Sequence, residues 1–246
     1  EILIGLVGSE MCIRDRSMTK VYCFSATGRT LGLARALAQK LSCGLEEFPI
    51  QRKTEPPDCQ TAVVVFPVYC QSVPLPVKRC LPLIAAENMV LIAVYGRKSC
   101  GNALHEAARL TGSRVIAGAY VPTGHTYLDE PAETDLALLE PVLARIAQPC
   151  AVRIPWRFKN PFAIVFPRLR ARVGVRIHVS EFCAHCGVCM AHCPMQAMRW
   201  GRPGRNCIRC LRCVCVCPHH ALYSSFRPWL MQYLQGRRSD QTLLYL

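Results

Sequence analysis

Two stretches in the C-terminal part of the chain, FCAHCGVCMAHCPMQAM (182–198) and NCIRCLRCVCVCPHHAL (206–222), align without a gap. Cys183, Cys186, Cys189, Cys193 and Pro194 correspond to Cys207, Cys210, Cys213, Cys217 and Pro218, always 24 residues on, and Ala197 corresponds to Ala221. No other feature constrains the fold as tightly. Three thiols separated by two residues let one tight loop cover three corners of a cubane. The fourth corner is out of that loop's reach and must be supplied from elsewhere. Proline then turns the chain and starts a short helix.

The doubled C-x2-C-x2-C-x3-C-P run closely resembles bacterial-type two-cluster ferredoxins, in which the fourth cysteine of each run ligates the other cluster. The resemblance implies two 4Fe–4S clusters, one on Cys183, Cys186, Cys189 and Cys217, the other on Cys207, Cys210, Cys213 and Cys193. Cys215 is then surplus and is expected to pack as a small hydrophobe. Zinc is the rival metal, although zinc sites usually draw on isolated CxxC pairs. His185, His192, His219 and His220 occupy variable positions of the pattern and are expected to be exposed rather than to bind metal.

Seventeen cysteines in 246 residues are not needed as staples, because a chain of this length buries a real core. No apolar run approaches the roughly 18–20 residues of a membrane helix, and no secretory signal is evident. A reducing cytoplasm is the expectation, in which clustered cysteines signal metal or redox chemistry before disulfides. Cys23, Cys43, Cys59, Cys70, Cys80, Cys100 and Cys150 are accordingly expected to be inert, with a redox role left open for Cys70 and Cys100. GLVGSEMCIRDR (5–16) resembles a translated DNA-library adapter. Residues 1–17 are therefore set aside as a non-native scar, Cys12 with them, and Met18 is taken as the start.

The region 18–150 alternates strand-like and helix-like stretches. VYCFS (21–25), AVVVFPVY (62–69), VLIAVYG (90–96) and VIAGAYV (115–121) read as strands, the long β-branched runs as strands buried on both faces. LGLARALAQKL (31–41), about 75–86, 102–111 and 133–147 read as helices. This alternation predicts an α/β fold, a parallel sheet with helices on both faces.

SATGRT (25–30) falls where the first strand ends and the first helix begins, where free N–H groups and the helix dipole favour an anion. Ser25, Thr27 and Thr30 add hydroxyls, Gly28 lets the backbone close around a phosphate, and Arg29 adds charge. A capped helix start would look the same. The run resembles the [ST]-x-T-G-x-T phosphate loop of flavodoxins, which implies a flavodoxin-like sheet with FMN beyond the strand ends at the switch point. PVYCQSVP (67–74) and YGRKSCGN (95–102) would then flank the flavin, with Tyr69 and Tyr95 against the ring and Gly96 beside it. Unlike flavodoxins, these two loops carry no carboxylate, and Arg97 and Lys98 are cationic. A flavin there is expected to be less reducing than in a typical flavodoxin.

Charge divides the chain. Residues 1–150 hold 15 Lys/Arg against 14 Asp/Glu, whereas 151–246 hold 15 against two, Glu181 and Asp240. In the basic linker, 151–180, the stretch from Arg168 to Ser180 alternates: Leu169, Ala171, Val173, Val175, Ile177 and Val179 share one side, Arg168, Arg170, Arg172, Arg176 and His178 the other. That is the period of a half-buried strand. The arginines read as a solvated face, or as a docking surface for an acidic redox protein or reductase, or for anionic lipid. No nucleic-acid motif accompanies them. In the tail, 223–246, Phe226, Trp229, Leu230, Tyr233 and Leu234 have the spacing of a short amphipathic helix.

From Met18 to about Leu222 the whole resembles the flavodoxin–ferredoxin fusion proteins of anaerobic bacteria and archaea. This implies a flavodoxin-like domain (18–150) and a small α+β two-cluster ferredoxin-like domain (181–222) that move electrons between FMN, two clusters and redox partners. No acid–base or nucleophilic constellation stands out. A flavin-dependent reductase with its own small substrate, or a flavin-free scaffold that docks the ferredoxin unit to a partner, stays open.

Overall fold

The computed structural model describes residues 19–48, 59–132, 134–160 and 167–246, with the backbone alone for 167–170. The segment 1–17, Met18, and the side chains of Arg168, Leu169 and Arg170 lie outside the described residues. The architecture is mixed α/β. A six-stranded sheet has the order β10-β5-β4-β3-β1-β2. Its strands are β1 (Thr19–Cys23), β2 (Gly44–Glu47), β3 (Cys59–Pro67), β4 (Ala86–Tyr95), β5 (Arg114–Pro122) and β10 (Leu243–Tyr245). All neighbours run parallel except β10, which pairs antiparallel with β5.

Among the described residues the helices α1 (Arg29–Lys40), α2 (Leu75–Cys80), α3 (Ala103–Leu110) and α4 (Glu140–Ala147) pack on the sheet. Successive strand side chains point to opposite faces, so the apolar run of β3 serves two cores. Val63 and Val65 pack with Leu33 and Leu37 of α1 and Val142 and Leu143 of α4. Val64 and Phe66 pack on the other side with Val77 of α2 and Leu104 of α3. Two expected helices are shorter than their sequence windows. The first breaks at Cys80 into a 3-10 turn, Leu81–Leu83, and the last is α-helical only from Glu140, after a turn at Leu136–Leu139.

Of the expected strand from Arg168 to Ser180, whose end is expected to open the cysteine-rich unit, the end is a strand and the first part is corrected. Residues Pro167–Gly174 form helix α5, and only β6 (Val175–Val179) is extended. Proline at the first helical position and glycine at the last punctuate a helix of good helix formers, and this outweighs the alternation. β6 pairs antiparallel with β9 (Leu222–Phe226). Between them lie α6 (Val188–Ala191), the two-residue strands β7 (Met198–Arg199) and β8 (Arg202–Pro203), and α7 (Arg212–Cys215).

The sequence repeat is a backbone repeat. His185, Gly187 and Gln196 have φ of 51°, 78° and 49°, and their counterparts Arg209, Leu211 and His220 have 55°, 63° and 48°. Hydrogen bonds repeat too. Ala191 N–H donates to Gly187 O at 3.1 Å as Cys215 does to Leu211 O at 3.1 Å, and Cys183 N–H donates to Ser180 O at 3.3 Å as Cys207 does to Gly204 O at 3.2 Å.

The tail does two jobs. As its spacing predicts, Pro228–Gln235 is a helix, α8, and its Leu230 and Leu234 are buried with Val175 and Leu211 against Tyr127 and Leu128 of the sheet unit. The chain then crosses the sheet unit and ends in β10, which the sequence reading did not foresee. Among the described residues no helix is long and apolar enough to cross a membrane.

Candidate functional site

Strand order 2-1-3-4-5 reverses direction between β1 and β3, and the loops at the carboxyl ends of β1, β3, β4 and β5 open there into one cleft. The enclosed part of the cleft is about 210 Å³, and it opens through a wide mouth to solvent.

The β1 loop supplies Ser25, Thr27, Arg29 and Thr30 to the lining. Gly28 lies just outside it, as the residue that precedes α1, with φ 84°, a left-handed turn that a side chain would strain. Among the described residues no side chain caps α1 and no acid sits in its first turn, which leaves its leading N–H groups for another acceptor. Ser25 is buried, and its Oγ finds no partner among the described residues. An orphaned hydroxyl beside uncapped N–H groups fits a phosphate.

The β3 loop contributes Tyr69, Cys70 and Gln71. It is rigidly held. Tyr69 and Ser72 exchange backbone hydrogen bonds of 3.0 Å, and Gln71 accepts from the N–H of Asn102 (3.1 Å) through its carbonyl and of Asn160 (2.9 Å) through its side chain. The Glu106 carboxylate accepts from Ser72 and from Val73 N–H, and pairs with Lys159 (2.9 Å) and Lys78 (3.2 Å). Burial pushes the Glu106 carboxyl up, but these donors and charges prevail and hold it below its usual range. Burial, with the Cys210 thiol nearby, pushes the Tyr69 phenol well up, so it stays neutral.

The β4 and β5 loops complete the cleft with Gly96, Lys98, His125 and Tyr127. A Cβ on Gly96 would lie 2.5 Å from His125 Cδ2, so only glycine admits that ring. His125 is a site residue that the sequence reading missed. Burial pushes it down to about 4, and its Nδ1 accepts from Tyr127 N–H (3.1 Å), which leaves the proton of the neutral ring on Nε2.

Tyr95 stands apart from the other expected cleft residues. It is expected against a ring, yet it is buried in the core outside the cleft lining, and its hydroxyl donates to Gln241 O at 2.7 Å in the tail. The tail also takes up the expected cationic pair. Arg97 is ion-paired with Asp240 (2.5 Å), while Lys98 donates to Arg237 O (2.7 Å) and sits over the Tyr233 ring.

The cysteine unit closes the cleft from the other side with Ile208, Arg209 and Cys210, joined by Leu230, Tyr233 and Leu234. Two bonds hold it there: Tyr127 donates to Arg209 O (2.6 Å), and Arg212 donates to Ser25 O (2.9 Å).

Within that unit the thiols fall into two sets. Cys183, Cys186, Cys189 and Cys217 surround one small cavity of about 350 Å³, part of it open solvent. Cys193, Cys207, Cys210 and Cys213 surround another of about 290 Å³, measured likewise. Each set takes three thiols from one loop and the fourth from the other. Backbone N–H groups surround the fourth sulfurs. Ala197 N–H donates to Cys193 Sγ (3.2 Å), and against the effect of burial, N–H groups from His219 to Leu222 pull the Cys217 thiol down. Among the described residues no three His, Cys, Asp or Glu side chains converge as a single ion requires.

Cys215 lies in neither cavity and is exposed, not packed as a small hydrophobe. His185, His192, His219 and His220 are exposed, as their positions predict. Comparison with known proteins finds no matching family model, no matching curated protein and no matching solved structure.

Proposed function

We propose that the chain is an electron-transfer protein, with FMN in the cleft of a flavodoxin-like unit and two 4Fe–4S clusters in a ferredoxin-like unit, akin to flavodoxin–ferredoxin fusions. The observation that carries this reading is the sorting of eight cysteines into two crossed quartets, one of which shares Cys210 with the cleft. The strand order is the flavodoxin-like 2-1-3-4-5, with β10 added at one edge.

When bound, FMN would exchange one or two electrons and each cluster one. The chain's own groups do the rest. Ser25, Thr27, Thr30 and the α1 N–H groups receive the phosphate, Arg29 offsets its charge, and Tyr69 offers a neutral aromatic wall. The inner quartet, Cys193, Cys207, Cys210 and Cys213, lies between the cleft and the rest of the cysteine unit. The outer quartet lies nearer solvent, where Cys186 is exposed and Trp200 (54% exposed) lines the same cavity. Exposed Arg176, Arg199, Arg202 and Arg205, against a single acid in that unit, suit an acidic redox protein as partner.

The test is anaerobic purification with flavin, iron and sulfide analysis. Releasable FMN with iron and sulfide supports the reading. Iron and sulfide without FMN leaves a cluster protein on an empty scaffold.

A further inference from the structure

The cleft is cationic, and most of its cations are engaged. Its lining includes Arg29, Lys98, His125 and Arg209 but no aspartate or glutamate. Arg29 reaches Asp129 at 3.4 Å, Lys98 is bound to the tail, and His125 is neutral at pH 7. Arg209 differs from all three. It stands between Cys207 and Cys210 in the second cysteine loop, its φ is 55°, and the Tyr127 hydroxyl fixes its carbonyl at 2.6 Å. Its Nε and Nη1 atoms are buried and meet no hydrogen-bond partner among the described residues. The residue as a whole is half-buried, but two buried guanidinium nitrogens without an acceptor are costly, so the site suits a negative charge that arrives with a ligand.

We infer that Arg209 meets the negative charge that a flavin ring gains on reduction, a cation delivered to the cleft of one unit by the cluster loop of the other. The inference rests on the FMN reading above and deepens it. A phosphate is already served by Ser25, the α1 N–H groups and Arg29. A ring that takes up two electrons and one proton carries one net negative charge. The electrons come one at a time from an iron–sulfur donor, or from dithionite in the test, and the proton from solvent. Arg209 therefore binds the reduced ring more strongly than the oxidised one and raises its potential. In this inference the expected less reducing flavin rests on Arg209 rather than on Arg97 and Lys98.

The test compares wild type with Arg209→Gln and Arg209→Lys, all purified anaerobically. Three quantities are read: iron and sulfide content, affinity for oxidised FMN, and the flavin midpoint in a dithionite titration. R209Q should keep its iron and bind oxidised FMN within about threefold of wild type. Its preference for reduced over oxidised FMN should fall about tenfold, equal to about 30 mV in a two-electron midpoint, and R209K should recover part of it. If R209Q loses iron, Arg209→Met, which keeps an unbranched stem, is read in the same way. An unchanged midpoint overturns the inference. So does a tenfold loss of oxidised affinity with no midpoint shift, which would put Arg209 on the phosphate. A wild-type chain that binds no FMN overturns the cofactor reading and this inference together, whereas FMN bound without a shift overturns this inference alone.

Discussion

The two cysteine quartets share one sequence pattern and one backbone, yet their surroundings differ. Cys193, Cys207 and Cys213 are each at most 7% exposed, and Cys210 lines the cleft. In the other quartet Cys186 is exposed and the remaining three are half-buried. The repeat therefore sets how thiols are held, and its neighbours set what each group of thiols faces. The inner quartet is enclosed because the sheet unit lies against it through Tyr127 and Leu128, and because α8 covers Val175 and Leu211. Among the described residues nothing equivalent covers Cys186, which is exposed.

The largest expected effect breaks the two quartets apart. Cys193→Ser and Cys207→Ser, from different loops, should each lose about half the bound iron and the same electron paramagnetic signal. Cys183→Ser and Cys217→Ser should lose the other half. A Cys193 variant that behaves like a Cys183 variant would show that the loops do not cross.

Removing residues 237–246 comes next. It takes away β10, the Arg97–Asp240 pair and the bidentate contact of Arg238 with Glu130. Affinity for FMN, measured by fluorescence quenching, should fall at least about tenfold, roughly one net hydrogen bond to a charged group. Iron at the outer quartet should be retained. Ser25→Ala is smaller and more local. Loss of one hydroxyl donor should weaken FMN about fivefold, near 1 kcal/mol, with iron unchanged.

On the cleft side, acid should act through His125 and Glu130. His125 is pushed from 6.5 down to about 4 by burial, so between these values the unfolded chain binds a proton that the folded one does not. Stability present above about pH 6.5 is therefore lost as pH falls toward 4. Glu130, held by Arg238 at about 2 rather than 4.5, extends the loss to lower pH. In a chemical melt followed across pH, His125→Gln should flatten the upper window and leave the lower one.

Much of this was legible in the residues. The quartets followed from the resemblance that the repeat carries, and the central strands from β-branched runs that tolerate burial on both faces. Ser25 and Thr30 were legible because a strand end running into a helix start has free N–H groups wherever it occurs. What escaped depends on partners distant in sequence. β2, Gly44–Glu47, carries two acids and one apolar residue, and only its pairing with β1 makes it a strand. β10 has three residues and takes its register from Tyr120, Ala119 and Gly118. Tyr95 read as a cleft residue because the tail that captures its hydroxyl lies some 146 positions away. His125 carries no local motif and Arg209 sits at a variable position of the cysteine run, so their meaning comes from the junction of the two units. Residues 167–174 held competing signals, alternation against Pro167 and Gly174, and the punctuation prevailed.

The central claim is that eight crossed thiols enclose inorganic cubes beside a flavin cleft. Iron, acid-labile sulfide and zinc measured together on protein prepared without oxygen test it most directly. The account expects iron and sulfide in equal amounts, about eight of each per chain, and no stoichiometric zinc. Zinc at these thiols with no sulfide would contradict it.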